Sequence, residues 1–486
     1  MDTTLEAHII ATIITGLILA IDLVIRLILL FYVPRNRKPT AALAWLLAII
    51  VVPIIGTALF FVIGSTKLSR RRREMQQQVD RMYGHYRKQL DASKLIAKAP
   101  RIYRQSAALA ESLTQLAPTK GNKVGVINGY DKIIQEMIAA IDEATSYVYI
   151  EFFALALDKT TEPFFAALEN ATKRGVSVYV LFDTLGSRKY PRYREMKRRL
   201  TDIGVSWNKV LAIRLRLHQY NRPDLRNHRK IVVVDNRHAF LGSLNMIDRT
   251  YHRKDTISYI ELVTHLEGPA VNEAAAVFAS DWYGETEQIL THFLDNTSRH
   301  SGGHSVAQIL PSGPAYAYRN NLKVFVDLIY TAKDSILITN PYLVPDESLL
   351  AALLSASLRG VRVSILNSEA MDQWMVGHAQ RSYYDELLSA GIHVSLYNAP
   401  QLLHSKYMVV DEEVAVIGSS NLDIRSFELN LECSAIIYDK SVAATLARQH
   451  SRDLKKSQSV ILALWRRRSK WSQLLDSIAR LTSALQ

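Results

Sequence analysis

Cysteine is almost absent from this chain: among 486 residues, only Cys433 carries a thiol. A single cysteine excludes a disulfide scaffold, a multi-cysteine zinc site and an iron–sulfur cluster, and it fits a reducing compartment. Acidic residues are also outnumbered, with 46 Asp and Glu against 59 Lys and Arg, which leaves a net charge of +13. Because 48% of the residues are hydrophobic and 22% are charged, global disorder is excluded as well.

Two long apolar stretches lie near the N-terminus. Residues 8–33 are apolar apart from His8, two threonines, Asp22 and Arg26, and residues 41–64 carry no charge. About 20 apolar residues span a bilayer, so we expect a transmembrane helical hairpin over residues 1–66. A signal peptide would be shorter and would begin with basic residues. A helix buried in a soluble core remains the other interpretation. The four-residue spacing predicts that Asp22 and Arg26 pair on one helix face.

A basic segment follows the hairpin. Residues 65–104 contain 12 basic and 3 acidic side chains, a net charge of +9. Anionic phospholipid and nucleic acid both attract such a segment, and its position beside an apolar stretch favours the membrane over nucleic acid. We expect a basic helical linker over residues 67–118. The positive-inside rule favours a cytoplasmic catalytic body on the cell membrane.

The C-terminus repeats this combination of basic and apolar residues. Arg466, Arg467, Arg468 and Lys470 precede Trp471, after which residues 475, 478 and 485 are apolar at helical spacing. The pattern is typical of an amphipathic helix in a membrane interface. A helix packed on the body is the equally weighted alternative.

The rest of the chain contains an internal repeat. Residues 148–183 and 335–366 each combine a β-rich run, a helical stretch, an Arg-Gly-Val step and another β-rich run. Strands that alternate with helices indicate α/β units. We therefore expect two similar α/β halves, one over residues 119–300 and one over residues 301–486, the second including the basic C-terminal helix.

Six residue types recur in the two halves at identical offsets. The first copy consists of His228, Lys230, Asp235, Gly242, Ser243 and Asn245, and the second of His404, Lys406, Asp411, Gly418, Ser419 and Asn421. His and Lys two positions apart in an extended segment point to the same side. Two packed halves would therefore bring together two imidazoles and two ammonium groups, with Ser and Asn as additional donors. Such a site suits a phosphodiester: the cations hold the oxygens, one imidazole attacks phosphorus and the other protonates the leaving alkoxide.

The acidic residues near the motifs have separate expected tasks. The two motif aspartates have the opposite strand parity to Lys and precede a turn, so each should brace that turn or bind a backbone donor. Glu261 and Glu432 each follow the histidine of their own half by a comparable interval, and we expect them to orient the two imidazoles. Arg222 and Arg226 adjoin His228 and are expected to bind the anionic substrate. We expect no metal, because a lysine beside each histidine repels a cation.

These motifs resemble those of the phospholipase D superfamily, and within it the bacterial cardiolipin synthases. The resemblance extends over nearly the whole chain and includes RNHRKIVVVD, LLHSKYMVVD and GSSNLDIRSFELNLE. It implies two α/β/α sandwich halves with mixed sheets and one site between them. The implied reaction joins two phosphatidylglycerols into cardiolipin and glycerol, without cofactor or metal.

The resemblance also implies roles for individual residues. His228 would form a phosphatidyl-histidine, and His404 would serve as acid and then as base. Substrate oxygens would be held by Lys230 and Lys406 together with Ser243, Asn245, Ser419 and Asn421. Asp235 and Asp411 count with the catalytic residues of this motif. A hydrolytic phospholipase D, another transphosphatidylase, a membrane-tethered nuclease and a non-catalytic membrane scaffold are the alternatives.

Overall fold

The computed structural model describes residues 2–35, 37–89, 97–212, 221–251, 257–294 and 302–483. The chain divides into two compact units, one formed by residues 1–68 with 222–224 and the other by residues 69–221 with 225–486. The second unit contains both motif copies and is called the catalytic body below.

The first unit is helical and apolar. Its helices are α1 (Asp2–Tyr32), α2 (Pro39–Val51) and α3 (Pro53–Ile63). Within α1, residues 8–32 are long and apolar enough to cross a membrane. Asp22 and Arg26 form the expected salt bridge, with 2.5 Å between their charged atoms. The structure therefore carries one candidate membrane helix among the described residues.

The second expected span is not one helix, which corrects the prediction for residues 41–64. Val52 leaves the helical conformation, and Pro53 has no N–H to continue the hydrogen-bond ladder. Helix α3 then approaches α2 so closely that a Cβ on Gly56 would lie 2.4 Å from the Ala48 carbonyl oxygen. With 13 and 11 residues, neither helix alone matches the thickness of a bilayer.

The catalytic body begins with helices from the basic segment and continues as alternating strands and helices. Its helices are α4 (Arg70–Gln89), α5 (Arg104–Thr114), α6 (Tyr130–Asp142), α7 (Glu162–Lys173), α8 (Thr184–Arg188), α9 (Tyr193–Asp202), α10 (Ala270–Thr286), α11 (Asn320–Thr331), α12 (Glu347–Leu358), α13 (Trp374–Ser389), α14 (Ile424–Glu428), α15 (Lys440–Leu454), α16 (Leu462–Trp465) and α17 (Lys470–Leu481).

The strands fall into two matching sets. The first half contributes β1 (Thr119–Asn128), β2 (Tyr147–Phe152), β3 (Ser177–Asp183), β4 (Ser206–Val210), β5 (Arg226–Asn227), β6 (Ile231–Val234), β7 (His238–Gly242), β8 (Ser258–Ile260) and β9 (Leu262–Glu267). The second half contributes β10 (Ser305–Ser312), β11 (Ser335–Thr339), β12 (Leu343–Val344), β13 (Arg362–Ser368), β14 (His393–Tyr397), β15 (Gln401–Leu403), β16 (Tyr407–Val410), β17 (Val414–Gly418), β18 (Leu422–Asp423), β19 (Asn430–Tyr438) and β20 (Ser457–Ser459).

One mixed sheet runs through both halves, in place of two separate ones. The first half has the order β1-β9-β7-β6-β2-β3-β4, the second has β10-β19-β17-β16-β11-β13-β14, and antiparallel pairing of β1 with β10 joins them. Matching strands hold matching places, so the sequence repeat is also a structural repeat. The expected bounds of the halves stay predictions, and the one near residue 300, with part of the 67–118 linker, lies outside the described residues.

Each motif copy leads into a hairpin whose turn explains the aspartate. Strands β6 and β16 are fully buried, as their runs of apolar residues require. The turns after them place Asp235 and Asn236, and likewise Asp411 and Glu412, at positive φ. Positive φ at both central residues is the feature of a type I′ turn, and Asp and Asn tolerate it well.

Candidate active site

Short strands exchanged between the halves bring the two motifs into position. Strand β5, directly before His228, pairs with β19 of the second half. Strand β15, directly before His404, pairs with β8 of the first half. The histidine backbones complete the exchange, because the N–H of His228 donates to the Leu431 carbonyl and that of His404 to the Ile260 carbonyl. Each motif is therefore held by the opposite half.

The same exchange decides which carboxylate binds which imidazole. Nδ1 of His228 lies 2.9 Å from Glu432 Oε1, and Nδ1 of His404 lies 2.8 Å from Glu261 Oε1. Glu261 and Glu432 thus meet the histidines as expected, but the pairing within each half that their intervals suggested is wrong. Both carboxylates are fully buried. When an Nδ1–H donates to a carboxylate, the lone pair of the neutral ring lies on Nε2.

The motif serines support the strands that carry these carboxylates, and their expected contact with a substrate stays a prediction. Ser419 Oγ donates to Glu432 Oε2 at 2.5 Å and accepts the N–H of Cys433 at 3.0 Å. Ser243 Oγ accepts the N–H of Leu262 at 3.0 Å. A hydrogen bond from Ser243 also contributes to lowering the pKa of Glu261. Both hydroxyls fix the strand that carries the neighbouring glutamate.

The two lysines are buried and share one electrostatic environment. Nζ of Lys230 donates to the His228 carbonyl at 2.7 Å, and Nζ of Lys406 to the His404 carbonyl at 2.6 Å. Burial lowers the pKa of Lys230 to about 7 and that of Lys406 to about 8, and the charge of Lys406 lowers the pKa of Lys230 further. The two cations therefore act on each other across the halves.

The histidines are held neutral in the same environment. Burial lowers the pKa of His228 to about 4, with Lys230 and Lys406 adding to the effect and Glu432 opposing it. Burial also lowers the pKa of His404, where both lysines again contribute. Burial alone would raise the pKa of Glu432, but its partner His228 and the nearby Lys230 outweigh burial and hold it below its ordinary value. The resting site thus combines neutral imidazoles with ionised carboxylates.

The motif asparagines are buried beside these groups. Asn245 Oδ1 accepts the N–H of Ala154 at 3.3 Å. Oδ1 of Asn421 has no hydrogen-bond partner in the part of the chain that the structure describes. A buried amide oxygen without a partner is costly unless a ligand satisfies it. Asn421 therefore offers an acceptor to a substrate hydroxyl.

The two arginines expected to bind substrate are already paired. Arg226 is buried, with Nη1 3.2 Å from Asp183 Oδ1 and Nη2 3.1 Å from the Leu211 carbonyl. Arg222 belongs to the first unit, where its guanidinium binds both carboxylate oxygens of Asp224. Guanidinium groups engaged in this way support the protein itself, and their assignment to the substrate stays a prediction.

Asp235 and Asp411 lie at the far end of the strand from the imidazoles, where their contacts support the bracing interpretation, and their catalytic assignment stays a prediction. The Asp235 carboxylate accepts the backbone N–H groups of residues 145, 146 and 147. Asp411 does the same for residues 333, 334 and 335. Each aspartate thus ties the motif hairpin to the turn before β2 or β11, as the bracing interpretation expects.

We expect Asp235→Asn to lower the free energy of unfolding by about 2 kcal/mol, since an amide replaces a charged acceptor of backbone donors. The turnover number should change by less than about threefold, because the side chain touches no reacting group. Thermal unfolding and initial rates, with the exposed Asp142→Asn as control, measure both quantities. A large loss of turnover at unchanged stability would support the catalytic assignment.

Three neighbours of the histidines are absent from the sequence-based expectations. The ring of Phe153 lies edge-on to His228 with 5.2 Å between centroids, and Tyr259 lies edge-on to His404 at 5.3 Å. Arg229 forms a buried salt bridge with Asp281, and its Nε donates to the Glu432 carbonyl at 3.1 Å. Two of these neighbours have a signal in the sequence. Phe153 follows the end of a β-rich run, and Arg229 lies between His228 and Lys230.

Among the described residues, one group has metal-ligand chemistry. Ligand atoms of His238, His265 and Glu267 lie within 4.8 Å of one another. They lie on β7 and β9, outside the motif histidines. His238 Nδ1 and His265 Nε2 are 3.0 Å apart, and Lys123 holds Glu267 at 2.7 Å. These contacts engage one nitrogen of each ring and the carboxylate, whereas His238 Nε2 has no hydrogen-bond partner among the described residues.

Known proteins share this architecture. A family model described as "Cardiolipin synthase, PLD-like domain" matches residues 137–282 and 325–454, more than half of the chain, and a "Phospholipase_D-nuclease N-terminal" model matches residues 18–65. The cardiolipin synthase of Alkalihalophilus pseudofirmus is 33% identical over 470 residues, which cover 94% of this chain and 91% of that protein. Cardiolipin synthase A of Proteus mirabilis is 30% identical over 469 residues, covering 94% and 95%.

A solved structure gives the same result for the fold. The phosphatidylserine synthase of Haemophilus influenzae Rd KW20 aligns with a TM-score of 0.59 over 79% of this chain and 100% of that chain, at 13% identity. At that identity the likeness concerns the fold alone. The matched family model and the two relatives show that the chain belongs to the cardiolipin synthase family of the phospholipase D superfamily.

Proposed function

We propose that the chain is a membrane-bound phosphatidyltransferase that converts two phosphatidylglycerols into cardiolipin and glycerol. The observation that carries this proposal is the pair of buried histidines, each held at Nδ1 by a glutamate of the opposite half. Such a pair supplies a nucleophile and an acid–base group on either side of one phosphate. The family relatives at about 30% identity are named for the same product.

The reaction is assigned to the two histidines in two steps. Nε2 of His228 attacks phosphorus, the bond from phosphorus to the glycerol oxygen breaks, and His404 protonates that oxygen. His404 then removes the proton from a glycerol hydroxyl of a second phosphatidylglycerol, whose oxygen displaces His228 from phosphorus. Lys230 and Lys406 stabilise the negative charge on the phosphoryl oxygens.

The proton that His404 donates must arrive with the substrate. The pKa of His404 is lowered by burial and by both lysines, so the resting ring is neutral. A bound phosphodiester anion neutralises lysine charge and thereby raises the pKa of His404. Substrate binding is therefore coupled to the uptake of a proton.

The buried site favours a lipid acceptor over water. His404 and both lysines are nearly inaccessible to solvent, and a dry site suppresses hydrolysis of the covalent intermediate. We place the body on the cytoplasmic side, with α1 spanning the membrane and α2 with α3 forming the second membrane segment. The basic residues from Lys67 to Arg73 support that orientation.

Purified protein in phosphatidylglycerol vesicles, without nucleotide or added metal, tests the proposed reaction. We expect one glycerol released for each cardiolipin formed, measured by enzymatic glycerol assay and lipid mass spectrometry. Phosphatidic acid as the sole product would instead establish a hydrolase. A requirement for CDP-diacylglycerol would establish a different class of transferase.

A further inference from the structure

Helix α17 leaves its apolar side exposed and packs on the protein through a narrow side that contains Asp476 and Ala479. The exposed apolar residues of the helix are Trp471, Leu474, Leu475, Ile478 and Leu481, and Trp471 and Leu481 are 77% and 84% exposed. The buried residues are Asp476 and Ala479, each 2% exposed. A surface helix of a soluble protein normally has the opposite arrangement.

Charged contacts fix this orientation. Asp476 accepts from His378 Nδ1 and from Arg468 Nη1, both at 2.7 Å. Arg480 adds a contact of 3.4 Å to Glu386. Residues 378 and 386 belong to α13, so α17 is held on α13 through its ionic side. The helix therefore packs on the body, which was one of the two alternatives, but its apolar side remains exposed to solvent.

Further exposed apolar and basic residues lie on α13, on α16 and at the start of α17. Trp374, at the start of α13, is 62% exposed and packs against His378 with ring centroids 4.4 Å apart. Leu464 of α16 is also exposed. Arg467, which precedes α17, and Lys470, which begins it, are exposed. Tryptophan beside aliphatic residues with Lys and Arg at the border is the composition of helices that lie in a membrane interface.

We infer that α17 lies in the interface of an anionic phospholipid bilayer, with its apolar side towards the acyl chains. Arg467 and Lys470 would meet lipid phosphates, and Trp471 would lie at headgroup level. A second copy of the chain fits this surface less well, because a two-fold interface places the same basic residues near their own copies. The inference concerns membrane contact and holds whichever phosphatidyl transfer the active site performs.

A probe on the apolar side tests the contact. Leu475→Cys is labelled with an environment-sensitive fluorophore in the full chain, where Cys433 is buried and does not compete for the label. The protein is reconstituted in vesicles of phosphatidylcholine and phosphatidylserine. Acyl chains brominated near the headgroup should quench the probe at least about threefold more than a probe at Asn170→Cys, an exposed polar position on α7. Equal melting temperatures of the labelled variants in detergent establish that both are folded.

Charge reversal provides the second measurement. With the probe at residue 475, the double change Arg467→Glu and Lys470→Glu should reduce quenching by about half in phosphatidylserine vesicles and have little effect in neutral ones. No quenching above the Asn170 control would overturn the inference. So would a probe signal that rises with protein density and gives energy transfer between labelled copies, because that result assigns the surface to self-association.

Discussion

His228→Ala is expected to lower phosphatidyl transfer by at least about 10⁴-fold and to leave no covalent adduct. Alanine removes the only group assigned to attack phosphorus, and the buried lysines that remain cannot form the intermediate. Glycerol release and cardiolipin formation should fall together, since both depend on the first step. The exposed His393→Ala, which changes a histidine outside the site, is the matched control.

His404→Ala should separate the two steps. With natural phosphatidylglycerol it loses the acid for the leaving glycerol, and we expect a loss of about 10³-fold. A phosphatidyl ester of p-nitrophenol needs no acid, so it should release one nitrophenol per site and leave the phosphatidyl group on His228. Peptide mass spectrometry detects that adduct. Absence of an adduct on His228 of the His404→Ala variant, or an adduct on another residue, would contradict the assigned nucleophile.

The residues of the site follow from the sequence because local spacing determines them. The offset between His and Lys, the buried strand after them and the Asp at the turn are all properties of one hairpin, and each copy displays them. Because the motif is duplicated, we expect both copies to contribute to one site. The amino-acid sequence alone therefore predicts the two histidines and the two lysines, whereas the two glutamates were predicted from their intervals; the structure places each glutamate on a histidine.

The pairing of those residues could not be predicted in the same way. Strands β5 and β15 are two or three residues long and pair with the opposite half. Nothing in the neighbouring sequence records that exchange, so the intervals from His228 to Glu261 and from His404 to Glu432 suggested the wrong partners. The serine contacts were also not predicted, because Ser243 and Ser419 bind the backbone of the neighbouring strand, 19 and 14 residues further along the chain.

The second apolar stretch shows the limit of hydropathy as a guide. Residues 41–64 are uncharged and long enough to span a bilayer as one helix. Pro53 and the close contact at Gly56 nevertheless divide them into two helices. Hydropathy indicates that a segment is apolar enough to lie in lipid, but it does not indicate whether the segment forms one continuous helix. Similarly, the periodicity of α17 indicated an amphipathic helix, but only the burial of Asp476 shows which side faces the body.

Glu432→Gln and Glu261→Gln should each lower turnover by about 10³-fold without unfolding the protein, by different steps. A glutamine amide can donate to Nδ1, which moves the ring proton to Nε2 and blocks the nitrogen that must react. Neither amide can stabilise an imidazolium as a carboxylate does. The exposed Glu143→Gln is the matched control, and circular dichroism with thermal unfolding verifies the fold.

Because each glutamate contacts the histidine of the opposite half, a substrate with a better leaving group should affect the two glutamate variants differently. Glu432 binds the nucleophile His228, so Glu432→Gln should remain slow with the p-nitrophenyl ester, because attack itself is impaired. Glu261 binds His404, so Glu261→Gln should recover a rapid first release of nitrophenol and then stall before transfer to the second lipid. If each glutamate served the histidine of its own half, the two variants would exchange these behaviours. Stopped-flow measurement of the nitrophenol burst therefore distinguishes the crossed arrangement from the uncrossed one in solution.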